Sequence, residues 1–283
     1  MTATFTAKDV QELRARTGAG MMDCKKALEE NQGDMEAAVD FLRKKGIAKA
    51  EKRAGKTASE GVVVAETGPQ GGVIVEVNCE TDFVARNADF QQIARTVAQH
   101  ALATPSAADA ESLLASQMAG GHDVATFIKE TSAKMGELVQ VRRMARLDGT
   151  VGKYVHFNGK IAVLVAVAGS DGEEARNLAN VLAEHVAAAA PLGVDKDTVP
   201  ADVVERERTI FTEQVRASGK PETMIDKIVT GKVEAYYKDV ALLHQMWVRE
   251  PKVPISAVVA EASKKAGAPI TVRGFQRFQL GQE

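Results

Sequence analysis

Two stretches of this 283-residue chain follow one order of elements: a glycine-bounded turn, a run of aliphatic residues, then a helix. Gly72 to Ala85-Arg86-Asn87 is echoed by Gly159 to Ala175-Arg176-Asn177, with three extra residues in the second copy. Such short identities also arise by chance, but the matching order of elements predicts a duplicated α+β unit. In the first copy, Val62-Val63-Val64 and Val73-Ile74-Val75-Glu76-Val77 flank the turn Gly68-Pro69-Gln70-Gly71-Gly72, a β-hairpin pattern. Helical sequence follows over 82–102 and again over 124–138. A second group of strands is expected at 140–147, 151–157 and 161–168, with Asn158-Gly159 as a tight turn between the last two. A helix over 173–190 then places Ala175, Leu178, Ala179, Leu182 and Val186 on one face, and Pro191 ends it.

The first ~55 residues read differently, as three short helices. Val10 and Leu13 share a face of the first, which ends at Thr17-Gly18-Ala19-Gly20. The second runs from Met21 to Glu30, and Asp34 caps a third with Met35, Ala38, Val39 and Leu42 at helical spacing. A core this small is marginal in isolation. From Arg43 to Lys56 there are seven basic residues and one acid, Glu51, which reads as a solvated helical linker or as a contact with RNA or an acidic protein. Further on, residues 201–247 read as two helices joined by Ser218-Gly219-Lys220-Pro221. Ile225, Val229, Lys232, Tyr236, Val240, Leu243 and Trp247 trace an approximate heptad seam, interrupted by Lys232, as in an antiparallel helical hairpin. That arm is either a structural insertion or a docking and self-association element. A short helix at 256–265 and a strand at 270–280, carrying Val272, Phe275 and Phe278, close the chain.

Composition narrows the function. Lys plus Arg is 36 and Asp plus Glu is 38, a formal net charge of −2, so no overall basicity draws the chain to nucleic acid. Cys24 and Cys79 are too few for a disulfide framework or a four-cysteine zinc site. No apolar run approaches the ~20 residues that cross a bilayer, and Met1-Thr-Ala-Thr-Phe lacks the pattern of a secretory signal, so a soluble cytoplasmic protein is expected. Ala50 to Thr57 resembles a phosphate-binding loop, but Ala50 replaces its first glycine and no strand precedes it. Gly18-Ala19-Gly20 lacks the third glycine of a dinucleotide fingerprint. The five histidines are scattered, no nucleophile–base pattern is visible, and Cys79 has no neighbouring His. No catalytic residue, metal site or cofactor is therefore assigned.

The informative segment is Asn78-Cys79-Glu80-Thr81-Asp82-Phe83-Val84-Ala85-Arg86-Asn87. Thr81 suits a helix N-cap and Asp82 the positive end of that helix. Phe83 is then either a core residue or an exposed aromatic wedge beside a carboxylate. This segment resembles the Thr-Asp-Phe-Val signature of the bacterial elongation factor Ts family. The run from Glu12 to Leu28, Gly33 to Ala38, Leu42 to Gly46, Gly152-Lys153-Tyr154-Val155-His156 and Gly274-Phe275-Gln276-Arg277-Phe278 resemble the same family in order along the chain.

The resemblance implies a guanine-nucleotide exchange factor, not an enzyme, whose partner is the translational GTPase elongation factor Tu. It also implies an α+β fold with a ubiquitin-associated-like three-helix module, a duplicated core with antiparallel sheets, and an inserted helical hairpin. The expected divisions are 1–55, core halves at 56–140 and 141–200, the hairpin at 201–247, and a closing segment at 248–283. By the resemblance, Thr81, Asp82, Phe83 and Val84 disturb the partner's magnesium site. Leu13, Met21 and Met22 contact its nucleotide-binding domain, and His156 contacts another of its domains. Some members carry a further helix with a partner contact; this sequence ends at Gly281-Gln282-Glu283, so that contact is not carried over. A 1:1 complex and a 2:2 assembly are both compatible, and neither a membrane nor a direct nucleic-acid ligand is expected. The competing readings are an RNA-binding accessory protein using the basic connector and an enzyme with a dispersed site.

Overall fold

A computed structural model describes residues 5–51 and 55–282, with side chains for all of these except 47–51. Residues 52–54, shared by the near-match to a phosphate-binding loop and the basic connector, lie outside the described residues. Three helices open the chain: α1 (Ala7–Thr17), α2 (Met21–Glu30) and α3 (Met35–Glu51). Thr6 and Asp9 form a reciprocal capping box at the start of α1, and Gly18, at φ +68°, ends it. Asp34 accepts from Ala37 N–H at 2.9 Å and so caps α3. Val10, Leu13, Cys24, Ala27, Leu28, Ala38 and Leu42 form the core of this bundle.

Then come β1 (Glu60–Gly68), β2 (Gly71–Cys79), α4 (Asp82–Ala85), α5 (Ala88–Ala103), α6 (Ala110–Ala115), α7 (Val124–Met135) and β3 (Val139–Asp148). The second half holds β4 (Thr150–Val155), β5 (Ile161–Ala168), α8 (Glu173–Ala189), α9 (Ala201–Ala217), α10 (Glu222–Val240), β6 (Met246–Trp247), β7 (Glu250–Pro254), α11 (Ile255–Ala266) and β8 (Thr271–Gln279). The chain divides into two compact units. One takes the N-terminal residues to Val63, Val75–Met144 and the extreme C-terminus; the other takes Val64–Ile74 and Ala145–Gln279.

The two three-stranded sheets have the same plan, β1-β2-β3 and β4-β5-β8, with the second strand of a hairpin in the centre, and β6 pairs with β7 in a third, two-stranded sheet. This is the topology expected of a duplicated α+β unit. The third strand of the first sheet is β3, whose sequence pattern groups it instead with β4 and β5. In the second sheet β5 pairs antiparallel with both neighbours, and the β5–β8 register shifts at Ala166/Val167. Ala166 faces Gly274 while Val167 faces Val272, so Arg273 is the extra residue of a bulge. The bulge explains the three-residue step from Val272 to Phe275, both of which pack on the core formed by β5 and α8.

β4 lies against α8 through Gly152. A Cβ there would sit 2.3 Å from the carbonyl carbon of Ala179 and 2.3 Å from the nitrogen of Asn180. Asn180 Oδ1 accepts from Lys153 N–H at 2.9 Å, fixing the same contact. In the three-helix bundle's unit Gly46 plays a similar part, its missing Cβ falling 2.7 Å from Ala133 Cβ on α7.

The helical hairpin is present, with a different seam. Val215, Ile225, Val229 and Val233 are buried together, with Phe211 and Tyr237 partly so. The steps along α10 are four residues, so Val233 occupies the seam and Lys232 flanks it, its ammonium 5.2 Å from the Phe211 ring. The seam also stops earlier than expected. Leu192 N–H captures the Val240 carbonyl at 2.8 Å, the helix ends there, and Leu242 joins the α8 core. Leu243 and Trp247 lie beyond it.

His185 on α8 is fully buried. It accepts from Val248 N–H through Nδ1 at 3.3 Å, which leaves Nε2–H to donate to Gln245 Oε1 at 2.9 Å. Burial pushes its pKa below the ordinary value of 6.5, a shift only partly opposed by the Gln245 bond. The folded chain thus keeps this ring neutral, while the unfolded chain takes up its proton as pH falls below about 6.5. Stability from this group is present above that pH and is lost on acidification.

Two predictions follow from these contacts. Gly152→Ala is expected to lower stability by about 2 kcal/mol or more, because backbone stands in the way of the methyl group, and urea unfolding followed by circular dichroism measures it. The urea midpoint of the native chain is expected to fall between pH 7 and pH 5, and more steeply than that of His185→Gln. His100 is also pushed downward by burial, so the slope shrinks in that variant without vanishing.

Candidate functional site

All nine residues of β2 are buried. The strand runs into Glu80 and Thr81, where the backbone turns into α4, a single helical turn. Thr81 has extended dihedrals (φ −124°, ψ 154°) and its hydroxyl accepts from Val84 N–H at 3.4 Å, the N-cap arrangement expected from the sequence. Asp82 occupies the first turn, where its charge meets the positive helix end, and it pairs with exposed Arg86 at 3.2 Å. The expected single helix over 82–102 is broken, because Asn87 adopts φ −66°, ψ 131° and caps α5 by accepting from Asp89 N–H at 2.8 Å.

Ala85 anchors the short helix in the interior. At ~100° per residue, Phe83 stands about 200° around the axis from Ala85 and faces outward. It is 82% exposed. This excludes the core reading of Phe83. A phenyl ring on a capped turn, beside the Asp82 carboxylate, is an apolar projection rather than packing.

The turn is held from several sides. Thr81 N–H and Oγ1–H both donate to the Glu137 carboxylate, at 3.0 and 2.6 Å. In return Leu138 N–H donates to Glu80 Oε1 at 2.7 Å, and Lys56 Nζ reaches Glu80 Oε2 at 2.7 Å. Cys79 Sγ–H donates to the Thr81 carbonyl at 3.2 Å. Burial, with the Glu137 charge adding to it, pushes the Cys79 thiol up to about 12, so it stays protonated and unreactive.

The other expected residues belong to other elements of the two units. Met21 and Met22 begin α2 and are 43% and 74% exposed, beside a groove of about 480 Å³ lined by Phe5, Val10 and Gln11. Leu13 is fully buried in the bundle core, so it supports that surface from beneath and offers none of its own. His156 follows β4 in the other unit. Its Nδ1 lies 2.9 Å from Tyr154 Oη, and its ring is 4.5 Å from that of Phe157.

Phe157 is 93% exposed, the largest signal that sequence reasoning missed. β4 ends at Val155, two residues before the expected limit, because Gly159 N–H closes a turn onto the His156 carbonyl at 2.8 Å. Phe157 and Asn158 are the central turn residues, and an aromatic directly before Asn-Gly was the available clue. In the connector, Arg43 pairs with Glu130, Lys45 with Asp23 at 2.9 Å, and Lys56 with Glu80. These basic groups are engaged within the chain, which weakens the RNA-contact reading. Among the described residues no helix is long and apolar enough to cross a membrane, and no group of three His, Cys, Asp or Glu is placed to hold a metal.

A family model described as Elongation factor TS matches residues 80–282. The relative named Elongation factor Ts from Rhizobium johnstonii (strain DSM 114642 / LMG 32736 / 3841) is 47% identical over 287 residues, covering 98% of this chain and 93% of the relative. One of the same name from Sinorhizobium medicae (strain WSM419) is 48% identical over 288 residues, covering 99% and 94%.

The buried thiols yield a prediction. In the native protein Cys79 and Cys24 are expected to resist iodoacetamide at neutral pH under conditions that alkylate both in urea, as read by intact mass; rapid native labelling of Cys79 would contradict the closed turn.

Proposed function

The chain belongs to the elongation factor Ts family and is a translation elongation factor; from that premise we propose that it binds GDP-loaded elongation factor Tu in the cytoplasm and promotes GDP release by disturbing the partner's magnesium site. The observation that carries this reading is the exposure of Phe83 on a tethered single-turn helix.

Exchange of this kind is coupling between two ligands. If the factor weakens nucleotide binding, the nucleotide weakens factor binding by the same ratio. Loosening a nucleotide ~10³-fold takes about 4 kcal/mol of contact made only when the grip is open. Burying one Phe side chain contributes about 1.5–3 kcal/mol, so Phe83 is the wedge without being the whole source. Displacing magnesium adds efficiently to it, because the ion neutralises phosphate charge that the GTPase must otherwise hold alone. In this reading Asp82 supplies a polar or electrostatic aid, while Thr81 and Val84 frame the turn.

The remaining grip comes from surfaces whose geometry supports docking. Met21 and Met22 offer unbranched, polarisable side chains that repack easily against an apolar partner residue. His156, steadied by Tyr154, presents Phe157 as a second exposed aromatic. Both surfaces supply affinity that precedes the wedge.

The two roles separate kinetically. Phe83→Ala is expected to fold normally and to lower the maximal rate of GDP release about 10- to 100-fold, followed with a fluorescent GDP analogue on elongation factor Tu. Wild-type release by that variant would sink the wedge. Phe157→Ala is expected chiefly to raise the factor concentration needed for half-maximal release, by roughly tenfold, with the maximal rate little changed.

A further inference from the structure

We propose that Glu137 is the positioning residue that aims Phe83, an inference that rests on the exchange-factor reading and names the group on which its wedge depends. α4 has four residues, and one helical turn does not sustain itself in water. Ala85 is its one buried residue. Its N-cap bond from Val84 N–H is long, at 3.4 Å. Neither feature is sufficient to hold an exposed ring in one direction against a partner.

The Glu137 carboxylate supplies what is missing. It accepts from the N–H and the O–H of one residue, Thr81, at 3.0 and 2.6 Å. Rotation about the Thr81 N–Cα bond breaks one of these bonds, and rotation of its side chain breaks the other. Both are assisted by the carboxylate charge, which makes them stronger than bonds between neutral groups. Thr81 Oγ1, polarised by donating to Glu137, is also the atom that accepts from Val84 N–H. One carboxylate thus sets the start of α4, and the start of α4 sets where Phe83 points.

Glu137 is itself fixed. Gly136, at φ +74°, ends α7 with its N–H on the Ser132 carbonyl at 2.9 Å, and β3 begins two residues after Glu137. Leu138 N–H is bound by Glu80 Oε1, so residues 80–81 and 137–138 hold one another reciprocally. The bonds secure a segment that buries little, so their effect falls on direction more than on the core.

The test uses the full chain and two readouts: amide hydrogen exchange at Thr81–Val84 in the free protein, and GDP release from elongation factor Tu as a function of factor concentration. Glu137→Ala is expected to speed amide exchange at residues 81–84 by roughly tenfold or more and to lower maximal release about tenfold, with the half-saturating concentration moved less than about threefold. Glu137→Gln keeps an acceptor for Thr81 N–H and is expected to recover most of both. Glu137→Ala placed on Thr81→Val is expected to add little to either single change. Unaltered exchange at 81–84 in Glu137→Ala overturns the proposal. Should that variant fail to fold, Thr81→Val carries the same readouts, because it removes the hydroxyl arm and keeps the side-chain shape; rigid amides and full release in Thr81→Val are then the overturning result. Wild-type release by Glu137→Ala beside impaired release by Phe83→Ala overturns the positioning role and spares the wedge. Wild-type release by both defeats the wedge and the positioning role with it.

Discussion

A strand buried along its whole length must bring its backbone back to solvent somewhere, and the chemistry at that exit governs the exposed turn. β2 is such a strand, and it carries a charge: Glu76 is fully buried. Arg142 at 3.1 Å and Arg143 at 2.7 Å neutralise it, and Asn78 Nδ2–H donates to it at 3.2 Å. A buried carboxylate left without such partners is strongly destabilising, so these contacts tie β2 to residues of β3. Four residues further on, Glu80 and Thr81 repeat the tactic at the surface by crossing to residues 137–138. The strand is thus clamped by acid–base and carboxylate–amide contacts on both sides of the point where it emerges.

Rigidity there has a thermodynamic purpose under the exchange reading. A flexible aromatic would be ordered only on meeting its partner, and the ordering entropy would subtract from the contact energy. A ring carried on a pre-formed turn has met that cost during folding. The differential contact needed to loosen a nucleotide is then available at the partner, where it shifts an equilibrium. The adaptable surfaces differ in kind. Methionines at the start of α2 suit initial grip, where shape tolerance helps, while a clamped phenyl ring suits the step where direction decides the outcome.

What was legible in the sequence was mostly local. The bounds of α2 and β5 follow from glycines and the change of period, and the Thr81 cap from residue type. Partner choice across distance was not legible: β3 reads like a neighbour of β4, yet it pairs beside β2. A three–four rhythm runs the hairpin seam through Lys232, whereas α9 and α10 meet along four-residue steps that bring Val233 inward. The β6–β7 pair went unseen because a two-residue strand has no period to read. At the candidate site, the sequence singles out Thr81–Val84 but not Glu137, which the structure places against Thr81. A carboxylate whose partner lies 56 positions away in the chain gives no local signal, though its place after the Gly that ends α7 was visible.

The duplication supplies an internal comparison for the wedge. In the shared pattern, Ala85-Arg86-Asn87 corresponds to Ala175-Arg176-Asn177, which sets Phe83 against Glu173. The two alanines are both buried. In the second copy the central strand β5 leads into α8, a helix of 17 residues begun by Glu173 and Glu174, whose acids suit the helix N-terminus. In the first copy the aligned Phe83 is the second residue of a helix of four residues and bears an exposed phenyl ring. At 82% exposure the Phe83 ring adds little to the packing of its own unit, and under the exchange reading the bonds of Glu137 and Cys79 to Thr81 steady the turn that carries it outward.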